Sequence, residues 1–258
     1  RSKAYGKEAI YIPTWKEYRN LLSELWFFSQ FGDPVKHNGT LVIYVGAADQ
    51  IHLPVLIQLL PWIKQWHLYD TRHFSYGDGS SREPTGVRPE WINRVHIYSG
   101  KEGEFTNQTA KEWTERLAQQ NQRAFFIPNI PNFGTKIKYS AEGEIPEEIS
   151  SIDSIEENQL ILRDMKIQAE WYLLLKSRLI QALLKFRLPY PISPDEWEKS
   201  SPGTVNPYGE KSFFTYLNGY LIKQPYNGNK STELRLVPYV QNPLNSVQSS
   251  EYHHWDLT

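Results

Sequence analysis

Three sets of residues in this sequence have the types and spacing to do chemistry. The first is Gly46, followed 24 residues later by Asp70. A glycine turn after a strand can aim backbone N–H groups at a polar ligand. An acidic residue ending the next strand can accept ribose hydroxyls. The turn itself, Gly46-Ala47-Ala48-Asp49-Gln50, holds one glycine where dinucleotide loops hold two or three. A loop that binds nothing therefore stands as the second reading. The next set is Lys185 in the apolar run Leu183-Leu184-Lys185-Phe186. A buried lysine has a lowered pKa and can act as a base, whereas one at a strand end is simply solvated. The last set is aromatic: nine Trp and sixteen Tyr suit base stacking, and equally suit an ordinary core.

The elements that must position these residues can be read from hydrophobic periodicity. Leu41-Val42-Ile43-Tyr44-Val45 is an unbroken apolar run rich in β-branched residues, which reads as a strand buried on both faces. Leu53, Leu56, Ile57 and Leu60 recur at helical spacing until Pro61-Trp62, and Trp66-His67-Leu68-Tyr69 then runs to Asp70. Strand, turn, helix, strand and acidic end make half of a nucleotide-binding α/β unit. Upstream, Thr14 and Glu17 spell a capping box. Tyr18, Leu21, Leu22, Leu25, Trp26 and Phe28 form the stripe expected to pack on the sheet, as far as Gly32.

Downstream, strands are expected over 95–98, 124–127 and 179–188, with helices over 105–120 and 155–177. Two further strands, 213–224 and 232–240, read as antiparallel partners at one edge. The polar tail from Gln241 is expected on the surface. Residues 75–89 and 189–208 read as long Gly/Pro/Ser-rich loops, the kind that carry function. The acidic stretch 142–157 reads as a solvated face.

Composition narrows the classes. A chain of 258 residues with formal charge −1 can bury a large core, so any nucleic-acid partner needs a local basic patch. With no cysteine there is no disulfide and no Cys-based zinc site, which fits a reducing compartment. No 18-residue apolar run exists, so no membrane span is expected. A chain that opens on Arg1 without a signal-peptide pattern is expected either to lack its true start or to be a piece of a longer chain. Residues 1–258 are read as one domain.

Several short stretches, in order and spread over nearly the whole chain, resemble a known family. They are Leu22-Ser23-Glu24-Leu25-Trp26-Phe27-Phe28-Ser29, Tyr44-Val45-Gly46-Ala47-Ala48, and Leu68-Tyr69-Asp70-Thr71-Arg72-His73. Leu184-Lys185-Phe186-Arg187-Leu188-Pro189-Tyr190, Lys223-Gln224-Pro225-Tyr226 and Ser231-Thr232-Glu233-Leu234-Arg235-Leu236 continue the series. Together they resemble the poxvirus cap-specific mRNA 2′-O-methyltransferases, which double as the processivity subunit of the viral poly(A) polymerase. The resemblance implies a Rossmann-like S-adenosylmethionine methyltransferase fold: an α/β, mostly parallel twisted sheet with an antiparallel end and helices on both faces. It also implies a host-cytoplasmic or virion location.

In that family a Lys–Asp–Lys–Glu tetrad serves methyl transfer to a ribose hydroxyl. A 2′-OH is a poor nucleophile at neutral pH, so a base must take its proton as the methyl arrives. The resemblance places Lys185 at the central lysine and Glu233 at the closing glutamate. It places Gln30 at the first lysine and Asn129 at the aspartate, which makes two substituted positions. Lys36, in the loop six residues on, is the alternative source of a first lysine. The cofactor positions fall on Gly46, Ala47, Asp49, Asp70 and Arg72, with Gly46-Ala47-Ala48-Asp49-Gln50 standing where the family has Gly-x-x-Pro-Gly. Asp49 would oppose the cofactor's carboxylate, so S-adenosylmethionine binding is expected to be weak or absent, and no metal is implied. Tyr190 takes the place of an aromatic that stacks on the cap guanine, with loop ordering as its alternative role. Arg72, His73, Arg82 and Arg88 are candidates for a phosphate-binding rim.

Three functions are compatible with these residues. A catalytically impaired pseudoenzyme would bind RNA, capped mRNA among it, or a viral poly(A) polymerase or capping partner. An active cap methyltransferase would act at the 2′-O, or at guanine N7, which needs no general base. A structural module of a larger capping protein is the third.

Overall fold

The computed structural model describes residues 15–48, 50–72, 74, 93–130, 154–189, 191–209, 213–225, 233–239 and 252–256. Its first half runs α1 (Trp15–Phe31), β1 (Leu41–Val45), α2 (Leu53–Leu59), β2 (Gln65–Asp70) and β3 (Val95–Ser99). Then come α3 (Asn107–Gln119), β4 (Ala124–Pro128), α4 (Ser154–Leu175) and β5 (Leu179–Ala182). The five strands form one all-parallel sheet in the order β3-β2-β1-β4-β5.

The apolar run of β1 is explained by that position, since a central strand covered on both faces has no residue to offer to water. Leu41, Ile43 and Val45 face one core together with residues of α3 and α4. Val42 and Tyr44 face the other, with residues of α1 and α2. β4 divides its phenylalanines in the same way, Phe126 to the first core and Phe125 to the second. Each fully buried ring stabilises the fold by roughly 1.5–3 kcal/mol. Helices on both faces of a parallel sheet whose order reverses between β1 and β4 make this a Rossmann-like fold. Ligands in such sheets bind where the strand order reverses, at the carboxyl ends of β1 and β4.

Gly46 sits at that point. Its φ is +79°, and a Cβ there would collide with the carbonyl oxygen of Asn129 at the end of β4. Gly46→Ala is therefore expected to lower stability by roughly 3 kcal/mol through left-handed strain and backbone overlap. An unchanged midpoint in urea unfolding would contradict this packing.

The antiparallel end departs from expectation in detail. The run expected as one strand over 179–188 breaks at Leu183, giving β5 and then β6 (Leu184–Arg187). A register shift at Ala124/Phe125 loosens β5 from β4, and the chain peels away to join another sheet. The run 213–224 likewise divides at Asn218-Gly219, a turn pair, into β7 (Phe213–Leu217) and β8 (Gly219–Lys223). α5 (Pro194–Ser200) interrupts the expected loop 189–208. Its start carries an N-cap at Ser193, then Pro194, Asp195 and Glu196. β6, β9 (Glu233–Pro238) and β8 form an antiparallel sheet in the order β6-β9-β8. Residues of the expected surface tail form β10 (Tyr252–Asp256), antiparallel to β7. Its Trp255 packs on Phe186, with ring centroids 5.1 Å apart.

α1 corrects the sequence reading most sharply. Phe27 and Phe28 are buried, but so are Glu17, Asn20, Ser23 and Glu24, while Tyr18, Leu22 and Trp26 face solvent. The helix is turned with a polar edge inward because that edge has partners in His52, Tyr44 and Arg235. Thr14, the expected cap, lies outside the described residues. Glu17 bonds to His52, the residue just before α2.

Candidate functional site

The polar edge of α1, the loop after β1 and the end of β4 meet β6 and β9 at the carboxyl end of the sheet. Three residues of α1, Glu17, Asn20 and Glu24, reach inward at spacing i, i+3 and i+7. His52, the residue just before α2, lies between the two carboxylates. Its Nδ1 is 2.8 Å from Glu17 Oε2 and its Nε2 is 2.9 Å from Glu24 Oε2. Burial alone would lower its pKa; the charge of Glu24 and hydrogen bonds to Glu17 and Glu24 outweigh this and raise it to about 9. His52 is therefore an imidazolium at neutral pH. Glu24 also accepts from the Tyr44 hydroxyl at 2.7 Å. Burial and then the Glu24 charge push the Tyr44 pKa well above its ordinary value, so the phenol stays a donor.

Arg235 of β9 ties the other side together. Its Nη2 donates to Asn20 Oδ1 at 2.9 Å and to Asn129 Oδ1 at 3.1 Å. Asn129 Nδ2 in turn donates to the Tyr44 oxygen at 3.4 Å. Asn20 donates to Gln50 Oε1 at 2.9 Å. The Gln224 amide satisfies its neighbours when its nitrogen donates to Glu233 Oε1 (3.2 Å) and its oxygen accepts from Arg235 Nε (3.2 Å). Lys185 Nζ lies 3.6 Å from Glu233 Oε2 and 3.5 Å from the carbonyl of Ile130. Burial raises the Glu233 pKa, but the charges of Lys185, Arg235, Arg19 and Arg187 outweigh it, so the net shift is downward.

Lys185, Glu233 and Asn129 are thus brought to one place at the end of β4. Gln30 is not among them. It is exposed at the far end of α1, where its amide donates to the Ser29 hydroxyl. Ten residues of helix separate it from Asn20, roughly 15 Å. Among the described side chains of α1, Arg19 is a cation whose charge acts on Glu233. Sequence reasoning passed over it because it followed the apolar stripe. The signal was the polar set Glu17, Asn20 and Glu24 on one helical edge, with Arg19 beside it. Lys36 is exposed and pairs with Asp33 at 3.7 Å.

Most of the described backbone donors in the loop after β1 are used within the chain. Gly46 N and Ala47 N donate to the Tyr69 carbonyl, Ala48 N to Asp70 Oδ2, and Gln50 N to the Ala47 carbonyl. His52 N donates to Glu17 Oε2 and Leu53 N to the Gln50 carbonyl. Asp70 ends β2 and is buried. Besides Ala48 N at 3.0 Å, it accepts from Arg72 N at 2.9 Å, Arg72 Nε at 2.9 Å and Arg72 Nη2 at 2.8 Å. Two carboxylate oxygens have about four lone-pair sites, and four donors fill them. Asp49, His73, Arg82, Arg88 and Tyr190 lie outside the described residues. No cluster of three or more His, Cys, Asp or Glu that could hold a metal occurs among the described residues. Neither does a helix long and apolar enough to cross a membrane.

A scan against protein-family models matches none of them, and a search of the curated proteins returns no match.

Proposed function

We propose that this chain is a methyltransferase-like RNA-handling protein that does not itself transfer a methyl group. The observation that carries the reading is the closed state of the loop after β1. Gly46, Ala47, Ala48, Gln50, His52 and Leu53 all direct their N–H groups at intramolecular acceptors, and Arg72 fills the acceptor sites of Asp70. A cofactor of the S-adenosylmethionine type needs donors for its carboxylate and an acidic acceptor for its ribose. The donors of this loop and the acceptor sites of Asp70 are engaged within the chain, so these residues do not fit that group.

The resemblance to poxvirus cap 2′-O-methyltransferases supplies the substrate class: RNA, capped mRNA among it, with a viral poly(A) polymerase or capping protein as partner. The same resemblance supplies the cytoplasmic or virion setting. Asn129 supports the impaired reading. Its carboxamide is held between Arg235 and Tyr44, and it carries no charge with which to orient Lys185. The 3.6 Å contact between Lys185 and Glu233 favours the second reading, an active cap methyltransferase.

A mobility-shift titration with capped and uncapped RNA, run beside transfer of labelled methyl groups from S-adenosylmethionine, separates the two. The expected result is RNA binding that weakens steeply with salt, with no label on the RNA. Methyl transfer by the unmodified chain that disappears in Lys185→Ala would overturn the proposal.

A further inference from the structure

β6 and β9 set an uneven charge arrangement on one face of their sheet. Lys185 stands directly opposite Arg235, and Arg187 directly opposite Glu233. Opposed and alternate residues of an antiparallel pair share a face, so the four side chains form one block of three cations and one carboxylate. Like charges directly opposite are unfavourable, and the Cβ atoms of such a pair stand only about 5 Å apart. Lys185 has Glu233 at 3.6 Å, and Arg187 has Glu157 at 2.9 Å. Arg235 is met differently. It is 1% exposed, always charged, and its hydrogen bonds go to the carboxamides of Asn20, Asn129 and Gln224. Its Nη1 is buried with no hydrogen-bond partner among the described residues. The amides satisfy donors but supply no charge. A buried cation with an unused donor, facing a second cation across the strand pair, is costly unless an anion completes it. Arg19 adds a cation from α1, and its charge acts on Glu233 together with those of Lys185, Arg235 and Arg187. The rim of the block reaches water, with the side chains of Lys185 and Glu233 14% and 23% exposed.

We infer that the Lys185–Arg235 rung is a site for an oxyanion, a phosphate group, held at the rim by Lys185 with the charge of the more buried Arg235 behind it. The source assigned to that group, an RNA phosphodiester, rests on the RNA-handling proposal; free phosphate carries the same chemistry. A phosphate presents several acceptor oxygens and full negative charge, which is what two cations set in neutral carboxamides lack. Glu233 is the competitor built into the block. At 3.6 Å it gives Lys185 the partner that the oxyanion would replace. A single phosphate is therefore bound weakly, in the millimolar range. The site needs neither Asp70 nor the loop after β1, so it does not depend on whether a cofactor can enter there.

Calorimetric titration of the full chain with inorganic phosphate, at an ionic strength held constant with chloride, is the first arm of the test. Saturable binding in the millimolar range is expected. Lys185→Met should weaken it roughly tenfold or more, the worth of one charge-assisted hydrogen bond. Glu233→Gln removes the competitor and should tighten it about threefold or more, a gain that a merely structural carboxylate would not give. Circular dichroism melts would show which variants fold, and either one alone decides the question. A chain that binds no phosphate up to tens of millimolar overturns the inference, as does binding that either folded variant leaves unchanged. The second arm is fluorescence anisotropy of a short labelled single-stranded RNA across a salt series. A log–log salt slope shallower by roughly one in Lys185→Met supports the phosphodiester source. An unchanged slope overturns that source in favour of free phosphate. Phosphate binding without any RNA binding would refute the RNA-handling proposal and leave the oxyanion site standing.

Discussion

His52→Ala is expected to destabilise the protein by about 3–5 kcal/mol, the penalty for stripping the partner from buried charges. Both carboxylates that flank the ring, Glu17 and Glu24, are buried, and each approaches a ring nitrogen within 2.9 Å. With the imidazolium gone, they would face each other across α1 with Tyr44 as the remaining donor to Glu24. The pH dependence follows from the direction of the shift. The folded-state pKa of His52, about 9, lies above its ordinary 6.5. Its contribution is therefore complete below pH 6.5 and is lost as pH rises through about 9. At ~1.4 kcal/mol per pH unit, that is on the order of 3 kcal/mol. Urea midpoints of the unmodified protein should fall across this window and those of His52→Ala should stay flat. Parallel curves would contradict the charged assignment.

His67 acts at the opposite end of the scale. It lies on β2, stacked on His96 of β3 at 4.6 Å and against Trp113 of α3. Its Nδ1 meets the Tyr98 hydroxyl at 3.1 Å, while Nε2 is buried without a partner. Burial, with smaller contributions from His96 and Arg116, lowers its pKa to about 3. The unfolded chain therefore takes up a proton that the folded one refuses, and stability falls as pH drops from 6.5 toward 3. The loss at the acid end is on the order of 5 kcal/mol. His67→Phe keeps an aromatic ring in the stack and removes the titrating group. It is expected to cost about 1 kcal/mol at pH 7 through the lost Tyr98 contact, and to unfold at lower pH than the unmodified chain. An unchanged acid midpoint would count against this account of the cluster.

The contrast between these histidines shows what could be read from sequence. The parallel sheet was legible because LVIYV and AFFIP are strands that water never reaches, and composition alone records that. Asp70 at the end of β2 was legible for the same reason, as the first polar residue after an apolar run. The rotation of α1 was not. Leu22 and Trp26 look like core residues by type, and only the partners across the interface, His52, Gln50 and Arg235, make Glu17, Asn20 and Glu24 the buried set. Locally such pairing shows only as a polar edge on α1, and the sequence does not name the distant partners that bury it. The same limit hid the break at Leu183, set by how β5 leaves β4, and the closing of Asp70 by Arg72, a rotamer choice two residues away. Gln30 was placed by the resemblance alone, and the structure sets it at the exposed end of α1, apart from Lys185, Glu233 and Asn129.

Calorimetric titration of the full chain with S-adenosylmethionine bears most directly on the closed loop after β1. No saturable heat is expected up to millimolar cofactor, since a ligand would have to displace Arg72 from Asp70 and break the loop's own hydrogen bonds. A dissociation constant in the micromolar range, lost in Asp70→Ala, would show instead that the loop opens to its ligand and holds the cofactor.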